Sequence, residues 1–132
     1  MKEWYQYAGI DYEEGVRRFL GNEPMYQSFL IKFLQDDSFA RLQRDLQAGN
    51  LAMADIDVHM LKGVAGNLSM MELFYAADNV IRALQQKSQV KDIQAVMGPV
   101  CDAYDKACDA IFAWKKAWEL RHPPMDCFDT EA

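Results

Sequence analysis

The chain has 132 residues, 51% hydrophobic and 26% charged, with 7 Gly and 4 Pro. It is long enough for one domain, residues 1–132, with a real core, and too poor in Gly and Pro for a disordered or low-complexity chain. Its 14 Lys and Arg against 20 Asp and Glu give a net charge of −6 with no basic block, which argues against nucleic-acid binding.

Helical periodicity runs through almost the whole chain and strand alternation is nearly absent. After an aromatic opening, Asp11 with Glu14 resembles a capping box for a short helix ending near Gly21. Asn22 caps a second helix, with Pro24 tolerated in its first turn; Tyr26, Phe29, Leu30, Phe33 and Leu34 mark one buried stripe. Asp36-Asp37-Ser38 interrupts it, and a shorter helix with Phe39, Leu42 and Leu46 follows, stopped by Gly49. Asn50 is the N-cap of the next, which runs to about Asn67. Ser69 and Glu72 form an S-x-x-E box that starts a helix with Leu73, Ala77, Val80, Ile81 and Leu84 inward.

Ser88 opens the last segment, where Ile93, Met97, Val100, Tyr104, Ala107, Ile111, Trp114 and Trp118 form a long seam. Gly98-Pro99 predicts a kink there, or a helix start near Pro99. The tail from His122-Pro123-Pro124 is expected to be ordered only by contact. The sum is an all-α, antiparallel up-down four-helix bundle with one or two short N-terminal helices.

The longest apolar run, Leu73 to Ala77, is far short of the roughly 20 residues of a membrane span. The opening Met1-Lys2-Glu3-Trp4-Tyr5 has no apolar signal core. Cys101, Cys108 and Cys127 are an odd count without a C-x-x-C pair, which does not read as a disulfide framework. A reduced, cytoplasmic protein with no membrane contact is expected.

The chemistry concentrates in the helix over residues 50–67. At about 100° per residue with His59 at zero, Leu68, Leu61 and Ala54 fall between about 180° and 220°, the inward face. Asp55, Lys62, Gly63 and Gly66 fall within about 60° of His59, on the outward side. Each helical glycine costs roughly 0.8–1.0 kcal/mol against alanine, and two on an outward face bring a core nothing. They make sense if a partner approaches the backbone around His59. A neutral imidazole has a free ring lone pair and attacks a pre-activated electrophile without a triad. Lys62, one turn on, is a mobile point charge suited to phosphate oxygens. The helix has no acidic metal cluster and no nucleotide loop, so a partner must bring the rest.

The stretch Val58-His59-Met60-Leu61-Lys62-Gly63-Val64-Ala65-Gly66-Asn67-Leu68 resembles the motif of histidine-containing phosphotransfer (HPt) domains, usually Ala-His-x-Leu-Lys-Gly-x-x-x-x-Leu-Gly. Gly9-Ile10-Asp11, Arg18, Tyr26 and Phe33 resemble the family's lead-in. The resemblance implies a bundle that relays phosphoryl groups to and from receiver-domain aspartates in a multistep two-component phosphorelay. It implies a phosphoryl carrier more than a stand-alone enzyme. His59 would carry the phosphoryl on Nε2 and Lys62 would steady it. Gly63 and Gly66 would admit the partner, with Asn67 and Met70 beside them. Partners would be response-regulator receivers or a hybrid sensor histidine kinase. The partner receiver would supply Mg²⁺, with no cofactor or metal on this chain, and the chain would be monomeric. Val58 stands where alanine is usual, Ser69 where glycine is common, and Val80-Ile81 where many members have Leu-Glu. These departures bear on partner choice more than on the nucleophile.

The competing function is a helical docking module that binds a receiver or another signalling protein without phosphotransfer. Asp55, whose charge would repel a phosphoryl group, reads as a solvating carboxylate. Trp4, Tyr5, Tyr7, Trp114 and Trp118 read as the two termini packing on each other. Glu119-x-x-His122 is one element where a di-iron bundle needs two, and Cys101, Cys108, His122 and Cys127 have irregular spacing for a metal.

Overall fold

The computed structural model describes residues 3–86 and 89–123. They form α1 (Trp4–Tyr7), α2 (Tyr12–Arg18), α3 (Glu23–Phe33), α4 (Ser38–Gln47), α5 (Leu51–Asn67), α6 (Met71–Gln85), α7 (Val90–Ala95) and α8 (Met97–Arg121). Among the described residues the fold is all-helical, and Ile10 and Met70 make an isolated antiparallel bridge. Ser88, and the tail from Pro124 with Cys127, lie outside the described residues.

Local chemistry sets most helix starts. Asp11, Asn22 and Asn50 each accept a hydrogen bond from the backbone N–H three residues on, at 3.2 Å. Gly49, at φ 74°, turns the chain out of α4 at no Cβ penalty. The expected Ser69–Glu72 capping box does not form. Ser69 sits at φ 56° and its hydroxyl donates to Glu14 Oε1 at 2.9 Å. Met70 takes the N-cap position of α6, and Glu72 pairs with Lys106 at 2.7 Å. Gly98-Pro99 falls in the first turn of α8, where a missing amide costs no bond; the break comes just before it, at Val96.

The core is built from Tyr26, Leu30 and Phe33 of α3, Phe39, Leu42 and Leu46 of α4, and Ala54, Val58, Leu61 and Ala65 of α5. Leu73, Ala77, Val80 and Ile81 of α6 join it, with Ile93 of α7 and Met97, Val100, Ala107 and Ile111 of α8. Two expected core residues lie at its margin: Phe29 is 40% exposed and Trp118 41%. The pairs Lys62–Asp78 and Gly66–Phe74 keep one residue sum, so α5 and α6 run antiparallel. Tyr104 of α8 stacks on Phe39 of α4 at 4.0 Å between ring centroids. The termini do pack together, Trp4 stacking on Trp114 at 5.4 Å, while Tyr7 remains exposed. Among the described residues no helix is long and apolar enough to cross a membrane.

Candidate functional site

Asp57 and Val58, just before His59 on α5, are buried, and this fixes the helix rotation that turns His59 outward. The His59 side chain is 53% exposed, with Nε2 3.4 Å from Asp55 Oδ1 one turn earlier. Lys62 donates to Asp78 Oδ1 of α6 at 2.9 Å, and Arg82 approaches the other oxygen of Asp78 at 3.0 Å. The Lys62 hydrogen bond, helped by Arg82, holds the Asp78 carboxyl below its ordinary range. The same ammonium lies 5.1 Å from the Phe74 ring centroid.

His59, Lys62, Gly63, Gly66 and Asn67 therefore come together, lining a shallow depression of about 330 Å³ with Phe74 and Arg18. The two glycines differ. A Cβ at Gly63 would meet nothing within 4 Å, whereas one at Gly66 would sit 3.1 Å from the Phe74 ring. Gly66 thus has a reason inside the chain, the close approach of α6, and only Gly63 leaves the backbone open. Met70, expected at the partner surface, is fully buried. Its backbone bridges to Ile10 as it starts α6, and this turns the thioether into the core.

Arg18 at the end of α2, which the sequence marks only as part of the family-like lead-in, also lines this depression. Helical periodicity says nothing of where α2 lies across α5, and only the tertiary fold puts Arg18 at the His59 depression. Arg18 and Asn67 also border a groove of about 500 Å³ floored by Phe19, Phe29 and Phe33, with Lys32 at its rim. Along α5 itself, Met53, Ile56 and Met60 leave an exposed apolar stripe beside His59.

Beneath this surface, Asp57 of α5 and Asp45 of α4 are buried close together, each with one carboxylate oxygen lacking a hydrogen-bond partner. Burial, then the neighbouring Asp45, pushes the Asp57 carboxyl above its ordinary range, although Arg41 Nε lies 3.4 Å from Oδ1. Cys101 and Cys108 are half-buried on α8. Among the described residues no group of three or more His, Cys, Asp or Glu is placed to hold a metal ion.

The arrangement offers a nucleophilic ring nitrogen at the surface, cations within the same depression, and an open patch of helix backbone. No known protein family, curated protein or solved structure matches this chain.

Proposed function

We propose that this chain is an HPt-type phosphoryl carrier, phosphorylated on His59 and serving receiver domains of a phosphorelay. The observation that carries the reading is the outward placement of His59 in one depression with Lys62 and the uncovered backbone at Gly63. In the transfer step Nε2 of neutral His59 attacks the phosphorus of a partner's aspartyl phosphate. An N–P bond forms as the P–O bond to the aspartate breaks, and the carboxylate leaves with its electron pair. The ring keeps its proton on Nδ1, and the reverse step returns the phosphoryl group to an aspartate. The partner receiver supplies Mg²⁺, which neutralises charge on the transferring group.

The reading carries an up-down four-helix bundle of α4, α5, α6 and α8. The antiparallel α5–α6 pair and the Phe39–Tyr104 stack between α4 and α8 support it. It also carries a cytoplasmic, monomeric chain. The apolar stripe Met53–Ile56–Met60 supports docking beside the nucleophile.

The test is phosphoryl transfer from a panel of phosphorylated receiver domains of the source genome. Acid-labile, alkali-stable phosphate is scored on wild type and on His59→Gln. Label on wild type that disappears in the variant is the expected result. Binding of a receiver without label would replace the carrier by a docking module.

A further inference from the structure

We infer that Arg18 is a phosphoryl-anchoring residue of the His59 site, resting on the carrier reading above. Two cations, Lys62 and Arg18, line the depression with His59, and a third, Arg82, shares Asp78 with Lys62. Lys62 lies 2.9 Å and Arg82 3.0 Å from Asp78, so each is already held by a short carboxylate contact. Arg18 lines the depression with its side chain 48% exposed, and Glu14 Oε1 is 3.9 Å from its Nε. That same oxygen already accepts the Ser69 hydroxyl at 2.9 Å. Arg18 is the most loosely engaged of the three.

The anions sharpen the case. Asp55 lies 3.4 Å from His59 Nε2, the atom that would bear the phosphoryl group, and Asp78 faces Lys62. A phosphoryl dianion there meets one carboxylate beside its nitrogen and another on its lysine. It needs a cation that no carboxylate holds tightly. A guanidinium supplies that, and its planar fork can bind two phosphoryl oxygens at once. Arg18 reaches the depression from α2, whereas Asp78 holds Lys62 from α6.

Phosphoramidate tests this without any partner protein. Nε2 attacks its phosphorus, the P–N bond of the reagent breaks, ammonia leaves, and the ring proton stays on Nδ1. The full chain is treated, and the phosphohistidine signal is followed by ³¹P NMR against pH in wild type, Arg18→Ala and Arg18→Lys. His59→Gln assigns the signal against His122, the other histidine of the chain. A cation beside the phosphoryl group favours its dianion, so loss of Arg18 raises the titration midpoint by roughly half a unit at this partly exposed site. Arg18→Lys restores part of the shift, which a purely structural role of Arg18 would not do. Coincident midpoints in all three proteins overturn the inference and leave the carrier reading standing. Absence of any signal assigned to His59 in wild type overturns the carrier reading, and this inference with it.

Discussion

A methyl group added at Gly63 meets open space, whereas one added at Gly66 presses on the Phe74 ring at 3.1 Å. Both residues lie inside α5, where alanine is favoured over glycine by roughly 0.8–1.0 kcal/mol. Gly63→Ala is therefore expected to stabilise the fold by up to about that amount, read as a higher midpoint in urea. Gly66→Ala gains less, because Phe74 has to shift by a few tenths of an ångström to admit the methyl. The functional effect runs the other way. Gly63→Ala should weaken receiver binding while raising stability, since the methyl stands where a partner's backbone would approach. A stabilised Gly63→Ala protein that binds and accepts phosphoryl as well as wild type would deprive this glycine of its proposed role.

Between α4 and α5 the buried carboxyls of Asp45 and Asp57 lie together, and Arg41 reaches only one of them well enough to help. Burial and Asp45 raise the Asp57 carboxyl in the folded state. The folded protein thus holds a proton there more tightly than the unfolded chain does. The stability tied to this proton is fully present below the ordinary value of 3.8 and is lost as pH rises through the folded value. Above that folded value the ionised Asp57 is a burden beside Asp45. Asp57→Asn keeps an acceptor for Arg41 and adds a donor for the orphan oxygen of Asp45, so it should stabilise by about 1 kcal/mol at pH 7. Thermal melts of wild type and variant should converge as pH falls; an advantage that persists at acid pH would show that charge is not its cause.

Helix ends were legible in the sequence where short-range forces set them. Asn22, Asn50 and Gly49 were readable because caps and turn glycines act through the backbone within a few residues. The Ser69–Glu72 box had the right spacing and failed because the Ser69 hydroxyl meets Glu14, 55 residues away in the chain. Phe29 had the right period for the core, but period fixes the centre of a stripe and not its width, and Phe29 ends beside the groove under Arg18. The outward angle of His59 followed from helix geometry alone, whereas Arg18, brought in from another helix, did not.

Across the whole molecule, the N-terminal segment clasps the turn between α5 and α6, which fixes the C-terminal end of the helix that carries His59. Asp11 N–H donates to Ser69 O at 2.8 Å, Glu72 N–H donates to Gly9 O at 3.2 Å, and the Ser69 hydroxyl reaches Glu14. From α3 the fully buried Tyr26 hydroxyl donates to Leu68 O at 2.6 Å, capping a carbonyl at the end of α5. Burial pushes the Tyr26 phenol well up from its ordinary value, so it remains a donor throughout the physiological range. Gly15 makes this possible, because a Cβ there would run into the Tyr26 ring. Tyr26→Phe should cost about 1–3 kcal/mol, since it strands a buried carbonyl while changing the packing little. If the clasp is one cooperative unit, amide exchange at Ser69, Met70 and Glu72 should quicken together in this variant, with the middle of α8 following only the global loss of stability. Uniform acceleration over all helices would instead make Tyr26 an ordinary core contact. The orientation of α5 at His59 would then rest on the buried face of that helix alone.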